Sequence, residues 1–362
     1  MQTNVRSAVQ WRNKMEKHIH GGDVYHHQGC IDFSANCNPL GTPEGIKKAI
    51  IKSLEHIGDY PQVGCAPLKE AIAEYEHTKP EQVICGNGAA EVIFSLCRAV
   101  NPKKALVPAP TFAEYEQALY SVGCQVEFFS LEKEKQFVLD EGFLNALTPD
   151  VDIIFLCNPN NPTGLLVPKP LLEKILDRCR ELNILMAVDE CFLDFVESPE
   201  AYTLKEHLEQ YGNLFLLKAF TKRYAMAGVR LGYGLCGNRA LLEKMESVCQ
   251  PWNVSSIAQA AGLAALKETK YVEAGRKLTF EELAYLKKEL SALGYFVYPS
   301  QANYVFFEGP KNLYDRLENK KILIRDCSNY SGLSKGYYRV AVKNHQDNRQ
   351  LIQALQELKI IS

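Results

Sequence analysis

Short, continuously apolar segments alternate with amphipathic stretches through the middle of the chain, and this alternation most constrains its fold. A strand without polar alternation is typical of a sheet that is covered on both faces. Strands that alternate with helices form a mostly parallel sheet. The predicted strands are residues 82–86, 104–109, 125–131, 152–158, 184–190, 213–220 and 230–237, and the predicted helices between them are residues 89–100, 111–122 and 170–182.

After about residue 250 the pattern changes. A long helical stretch is predicted from Val254 to about Leu293, followed by four short apolar strands and a last helix from Gln346. Strands grouped between helices favour a smaller α+β domain. We therefore predict an α/β protein with three parts: an N-terminal arm over residues 1–35, a large domain with a mostly parallel sheet over residues 36–250, and a small domain over residues 251–362.

The overall charge excludes some classes of partner. The 362 residues carry 41 basic and 43 acidic side chains, for a formal charge of −2, so the chain lacks the basic excess of a general nucleic-acid binder. No apolar stretch approaches the roughly 20 residues of a membrane helix. The first residues, MQTNVRSAVQWRNKMEKH, are polar and charged, so no secretory signal is expected.

Twelve cysteines are present, but no two of them stand in a CxxC pair. Paired cysteines at that spacing are the usual sign of zinc or redox sites, so neither is predicted, and no metal is expected. Many of the cysteines lie inside apolar runs, where reduced thiols behave as small hydrophobic side chains. Their number favours a reducing, cytoplasmic location.

A glycine-rich turn, Gly86–Glu91, follows a predicted strand and opens a predicted helix. Glycine lets the backbone approach an anion, and the free N–H groups of the first helical turn point at it. Glu91 stands where a dinucleotide-binding turn needs a third glycine, and the Lys-Ser/Thr of a P-loop is missing. A nicotinamide-dependent dehydrogenase is therefore disfavoured, although the turn alone is a weak signal.

Polar residues also follow three other predicted strands. Asn158–Gly164 contains three asparagines and two prolines, and Asp189 ends the next apolar strand. Open α/β sheets bind ligands at such carboxyl ends of strands. Lys222 follows the strand after that, with Thr221 beside it and Arg230 a short small-residue loop later. A lysine in that setting is a candidate covalent nucleophile, and the arginine is a candidate phosphate ligand.

These four motifs, in this order, resemble the fold-type I pyridoxal-phosphate enzymes of the aminotransferase class I/II family, and the resemblance covers nearly the whole chain. It implies pyridoxal 5'-phosphate as cofactor. Lys222 matches the lysine that bonds to the cofactor aldehyde, and Asp189 the carboxylate that pairs with the ring nitrogen. Asn161 matches the hydrogen-bond donor to the ring oxygen, and Phe112 the aromatic that stacks on the ring.

The same resemblance implies a site for the cofactor phosphate at Gly88, Ala89 and Ala90, with Thr221 and Arg230 as side-chain ligands. Tyr60 matches a tyrosine that reaches the phosphate from a second subunit, so a homodimer is implied. Two positions depart from the family pattern. Ala219 stands where many relatives have Ser or Thr, and Phe192 where most have a Tyr that bonds the ring oxygen.

Four residues are implied in substrate binding. Arg339 matches the arginine that holds the substrate carboxylate, whereas Arg325, His20 and Asn36 lie in motifs typical of family members with phosphorylated substrates. Decarboxylation of a phosphorylated amino acid is our first expectation, and transamination is the alternative, because the cofactor motifs do not reveal which bond is cleaved. A non-catalytic regulator would need a DNA-binding domain, for which neither terminus has room or charge.

Overall fold

The computed structural model describes residues 20–360, so residues 1–19 of the predicted arm lie outside the described part. Thirteen strands and twelve helices longer than three residues are found in the described part. The strands are β1 (Ile31–Asp32), β2 (Val83–Gly86), β3 (Lys104–Ala109), β4 (Gln125–Ser130), β5 (Ile153–Cys157), β6 (Leu185–Asp189), β7 (Leu214–Ala219), β8 (Gly232–Cys236), β9 (Phe296–Val297), β10 (Tyr304–Glu308), β11 (Ile322–Leu323), β12 (Arg325–Asp326) and β13 (Tyr337–Ala341).

The helices form around these strands. They are α1 (Glu44–Ser53), α2 (Ala66–Glu76), α3 (Gly88–Val100), α4 (Glu114–Ser121), α5 (Phe143–Ala146), α6 (Lys169–Glu181), α7 (Phe220–Arg223), α8 (Arg239–Val248), α9 (Ser256–Ala265), α10 (Thr269–Ala292), α11 (Leu313–Glu318) and α12 (His345–Ile360). Within the described range, no helix is both long and apolar enough to cross a membrane.

The main sheet has seven strands in the order β2-β8-β7-β6-β5-β3-β4. All neighbours pair in parallel except β8, which is antiparallel to both β2 and β7. The predicted strands and the mostly parallel sheet are therefore confirmed. Strand β4 lies at the edge of the sheet and is largely exposed. Its exposure agrees with its polar residues Gln125 and Glu127, which would be costly to bury.

One predicted helix boundary is wrong, and one helix starts later than predicted. The stretch 254–293 is two helices, because α9 packs on α1 whereas α10 packs on α12, and the chain turns at the polar residues Lys267 and Glu268 between them. Helix α4 begins at Glu114 rather than at Thr111, whose hydroxyl is held by Asn160 Oδ1 at 2.7 Å.

A smaller antiparallel sheet, β12-β13-β10-β9, lies in the C-terminal part. Its core includes Leu286, Val305 and Leu355, and Phe33 from the N-terminal segment joins the same core. Strand β1 pairs in parallel with β11 just after helix α11. The N-terminal segment therefore packs with C-terminal elements, as the predicted arm requires, and the three-part division at residues 35 and 250 stays a prediction.

Candidate active site

A cavity of about 310 Å³ opens at the carboxyl ends of β5, β6 and β7, beside the start of α3. Parallel strands end together at one edge, so the motifs that follow them converge there. All but two of the residues singled out from the sequence line this cavity: His20, Asn36, Ala89, Ala90, Phe112, Asn161, Asp189, Phe192, Thr221, Lys222, Arg230, Arg325 and Arg339.

Gly88 and Tyr60 are the two residues that do not line it. Gly88 has a φ of 78°, and a Cβ there would lie 2.4 Å from Arg230 Nη2, so this position requires glycine. Gly88 therefore shapes the start of α3 beside Arg230, which lines the cavity. The Tyr60 side chain is 80% exposed and stacks on Trp252, with 4.6 Å between ring centroids, so its predicted reach into a second subunit stays a prediction.

The start of α3 lies at one end of the cavity, and its geometry suits an anion. A Cβ on Gly232 would lie 2.3 Å from the Ala89 nitrogen, so glycine lets β8 approach the first helical turn. Glu91 accepts a bond from the Asn87 nitrogen at 2.6 Å, which holds the turn in place. The first N–H groups of a helix lack partners within the helix and attract anions. With Arg230 alongside, this end fits a phosphate.

Asp189 ends strand β6 deep in the cavity. Its Oδ2 accepts a 2.6 Å bond from the Tyr115 hydroxyl, and its Oδ1 accepts a 2.9 Å bond from the Cys191 nitrogen. Burial raises the pKa of the Asp189 carboxyl, because no cation of the described chain pairs with it. A buried carboxylate in this state favours a ligand that brings a positive charge or a proton.

The fold distinguishes the two lysines of this segment. Lys218 is buried away from the cavity, and its Nζ pairs with Glu190 Oε2 at 3.1 Å. Lys222 lines the cavity, and within the described residues its Nζ has no hydrogen-bonding or ionic partner; it lies 5.9 Å from the centroid of the Phe192 ring. Lys222 is therefore the amine available to a ligand.

Two thiols, those of Cys157 and Cys191, also line the cavity. Burial raises the pKa of each thiol well above its ordinary value, and the nearby Asp189 carboxyl raises both further. A cysteine acts as a nucleophile only as its thiolate. Both shifts disfavour the thiolates, so Lys222 is the candidate for covalent chemistry in this cavity.

Arg339 lies on strand β13 and is 6% exposed. Its Nη1 donates to Asn161 Oδ1, and its Nη2 donates to the Ser34 carbonyl at 2.9 Å. Its guanidinium also lies 5.3 Å from the centroid of the Tyr304 ring, while Nε is buried without a partner. These contacts fix the plane of the guanidinium, which suits a planar carboxylate.

Arg325 lies directly opposite Arg339 in the β12–β13 pair and is 7% exposed. Its Nη2 donates to Asn329 Oδ1 at 2.8 Å, and its guanidinium lies 5.3 Å from the centroid of the Tyr330 ring. Over residues 20–360, neither arginine has a carboxylate at ion-pair distance. Buried charges are normally paired. Two such arginines in one cavity therefore indicate a ligand with more than one negative charge.

Residues of the N-terminal part, among them His20 and Asn36, also line the cavity. His20 Nδ1 lies 3.2 Å from Glu114 Oε1, and this hydrogen bond is the main reason that the pKa of the His20 imidazole is raised. Asn36 is buried, lines the cavity, and both polar atoms of its side chain lack a partner. An orphaned buried amide of this kind is satisfied when a polar ligand occupies the cavity.

Sequence reasoning missed Glu114, Tyr115, Asn329 and Tyr330. Tyr115 lies one helical turn after Phe112, so helical spacing from a predicted site residue offered a signal. Asn329 and Tyr330 follow Arg325 by four and five residues, so the motif around Arg325 could have indicated them. Glu114 offered no signal, because acidic residues are common in the first turn of a helix.

These residues fit pyridoxal phosphate. The anion-binding turn at Ala89 and Ala90 suits its phosphate, Lys222 is a free amine for its aldehyde, and the buried Asp189 suits its ring nitrogen. Phe112 lies on one side of the same cavity. The donor set and the unpaired buried carboxylate thus agree with the cofactor that the sequence motifs imply.

Comparison with known proteins points the same way. The model of the family "Aminotransferase class I and II" matches residues 28–355. Threonine-phosphate decarboxylase of Salmonella typhimurium is 39% identical over 332 residues, which are 91% of each chain. Histidinol-phosphate aminotransferase of Desulfitobacterium hafniense is 36% identical over 340 residues, 91% of this chain and 92% of the relative.

The fold agrees with these matches. The crystal structure of histidinol-phosphate aminotransferase from Clostridium acetobutylicum superposes with a TM-score of 0.85 at 30% identity, covering 91% of this chain and 99% of the other. Relatives with two different reactions therefore have similar sequence identity to this chain, so the family is shown while the reaction is not. The chain belongs to the aminotransferase class I and II family of fold-type I pyridoxal-phosphate enzymes.

Proposed function

We propose that the chain decarboxylates L-threonine O-3-phosphate to (R)-1-aminopropan-2-ol O-phosphate and CO2, a step of cobalamin biosynthesis. The observation that carries this proposal is the pair Arg325 and Arg339, both buried and both without a carboxylate partner among residues 20–360, in the cavity that also holds Lys222. Such a pair suits a substrate with a carboxylate and a phosphate. The similarity to threonine-phosphate decarboxylase adds support.

Cofactor binding is assigned to residues that surround the cavity. Bound pyridoxal phosphate supplies an electron sink for the bond that is cleaved. Lys222 would hold its aldehyde, Asp189 its ring nitrogen, and Asn161 its ring oxygen, while Phe112 and Phe192 enclose the ring. The phosphate ligands in this assignment are Gly88, Ala89, Ala90, Thr221 and Arg230, with Tyr60 from a second subunit.

Substrate binding is assigned to four residues. Arg339 would grip the carboxylate, since two hydrogen bonds and an aromatic face already fix its guanidinium. Arg325 would bind the phosphate, with protonated His20 over the mouth of the cavity adding a second positive charge. The unpartnered amide of Asn36 would bond a substrate oxygen.

The reaction type depends on which bond to Cα is held perpendicular to the cofactor ring. Two arginines anchored on paired strands would hold the carboxylate and the phosphate at a fixed separation, and thereby set the rotation about Cα. Lys222 Nζ, which has no competing polar partner among the described residues, would return a proton to Cα after CO2 leaves.

We also propose a homodimer in the cytoplasm. Several apolar side chains between residues 51 and 63 are exposed, among them Ile51 at 66%, Ile57 at 65% and Val63 at 60%, and Tyr60 lies in the same stretch. An exposed apolar surface of this kind is typical of an interface, and a second copy of this chain would cover it. All twelve cysteines are free thiols, which favours a reducing compartment.

Histidinol-phosphate aminotransferase is the second candidate, because a relative with that activity is 36% identical over nearly the full chain. One experiment separates the two functions. Holoenzyme is incubated with threonine phosphate alone, and separately with histidinol phosphate and 2-oxoglutarate. The proposal requires CO2 release in the first mixture without any keto acid, and glutamate formation in the second with no reaction in the first would refute it.

A further inference from the structure

Behind the cavity lies a buried network of charged side chains that the proposed function does not use. Among the described residues it contains three carboxylates and three cations, which balance one another. Its members are Glu76, Glu190, Asp194, Lys205, Lys218 and Arg223.

The basic residues before and after Lys222 belong to this network, but Lys222 itself does not. Lys218 and Arg223 are both turned into the network, whereas Lys222 alone lines the cavity. Lys222 Nζ has no hydrogen-bonding or ionic partner in residues 20–360, and it lies 5.9 Å from the centroid of the Phe192 ring. Its direction therefore depends on the backbone of residues 220–223, which form a single helical turn.

Asn38 holds that backbone through its nitrogen, which donates a 3.0 Å bond to the Lys222 carbonyl, and Arg223 adds a side-chain ion pair. Arg223 Nε donates to Asp194 Oδ2 at 2.6 Å, and the Arg223 carbonyl accepts a 3.0 Å bond from Asn38 Nδ2. The Asp194 carbonyl in turn accepts a 2.9 Å bond from Arg276 Nε on α10. Residue 223 is thus tied to the loop that follows Asp189, to the N-terminal segment, and through Asp194 to α10.

Lys218 offers a contrast within the same network. It lies in β7, whose backbone is paired with β6 on one side and with β8 on the other. Removing its side chain leaves those backbone bonds in place. Arg223 ends a one-turn helix that lies outside the sheet and is held by single backbone bonds, such as the bond from the Asn38 nitrogen to the Lys222 carbonyl, so its side-chain ion pair adds to the local positioning.

We propose that the Arg223–Asp194 pair is a positioning pair that sets the direction of Lys222 within the cavity. Arg223 does not contact the cavity itself, so it acts through the backbone of its neighbour. A shift of about 1 Å in a reacting group can cost about 10²-fold in rate. The activity arm of the test rests on the proposed function, whereas the spectroscopic arm rests only on the family's cofactor.

The test compares holoenzymes of Arg223→Met and Asp194→Asn with the matched control Lys218→Met, which also loses a buried ion pair. We expect Arg223→Met to shift the apparent pKa of the pH-dependent absorbance band of the lysine-bound cofactor. Its kcat should fall by about 10²-fold with KM within about two-fold of wild type. Lys218→Met should lose a similar amount of thermal stability but keep the absorbance pKa and kcat.

The proposal would be overturned by equal effects of Arg223→Met and Lys218→Met on the absorbance pKa, or by a variant Arg223→Met that loses melting temperature alone. Should Arg223→Met fail to fold, Arg223→Lys, which keeps the charge without the Nε geometry, must show the same absorbance shift in weaker form. The absorbance titration needs no substrate, so a wild type that releases no CO2 would refute the proposed function and leave this test intact.

Discussion

Replacing Arg325 tests the proposed phosphate site, because Arg325 lies on a different strand from Arg339, the arginine assigned to the carboxylate. Arg325→Gln removes a cation that is 7% exposed and that no described carboxylate neutralises. Free threonine lacks the phosphate that this cation is proposed to bind. The variant should therefore impair the phosphorylated substrate much more than free threonine, whereas Arg339→Gln should impair both.

The size of the effect follows from the local geometry. Loss of one partner from a desolvated charged pair typically costs about 2–5 kcal/mol. Arg325 lies directly opposite Arg339 in the strand pair, so its removal also relieves repulsion between two cations. We therefore expect the lower half of the range, about 2–3 kcal/mol, which is about a 30- to 150-fold loss in kcat/KM.

Steady-state CO2 release with threonine phosphate and with free threonine, for wild type and each variant, measures these losses. Arg239→Gln is the control, because Arg239 is exposed and, among the described residues, its ion pair is with Glu243 on its own helix. It should leave both values unchanged. Equal losses of Arg325→Gln with both substrates would remove Arg325 from the phosphate site.

Four further outcomes are expected. Borohydride reduction and peptide mapping should place the cofactor on Lys222, and an adduct on the network residue Lys218 would contradict the assignment. The solution mass should be that of two chains, and Tyr60→Ala should weaken cofactor binding; a fully active monomer would rule out shared sites. The bond to Glu114 raises the pKa of the His20 imidazole, which is charged below that pKa and neutral above it. The activity with threonine phosphate should therefore fall as pH rises through it, and Glu114→Gln should move that fall to lower pH, as a pH profile of kcat/KM would show. Burial alone would raise the pKa of the Glu76 carboxyl, but Lys218, Arg223 and Lys205 lower it from 4.5 to about 2. The contribution of Glu76 to the free energy of unfolding, about 3 kcal/mol, is fully present above pH 4.5 and is lost as pH falls towards 2. Between these pH values, the unfolding free energy of Glu76→Gln in denaturant should therefore depend less on pH than that of wild type.

The main sheet and most of the cavity lining were predictable because they depend on local signals. Buried strands such as Ile153–Cys157 show continuous apolar runs, and ligand motifs follow their carboxyl ends. The break between α9 and α10 was missed because both halves share one helical periodicity, and only their different packing partners separate them.

The network around Arg223 was not predictable, since its members come from sequence positions 76 to 223 and pair only through the tertiary fold. Tyr115 was missed although it lies three residues after Phe112, because its bond to Asp189 spans 74 positions. Side chains that hold a site in place without contacting the ligand follow no sequence motif. Residues that contact the ligand do follow one, because cofactor chemistry dictates their type and order.

The central claim is the reaction itself, and the release of CO2 from threonine phosphate tests it most directly. Purified holoenzyme with carboxyl-labelled threonine phosphate and no keto acid should release labelled CO2 and yield aminopropanol phosphate through many turnovers. Release that stops after one equivalent, or that requires 2-oxoglutarate, would contradict decarboxylation as the function. Efficient transamination of histidinol phosphate by the same preparation, with threonine phosphate inert, would assign the aminotransferase reaction instead.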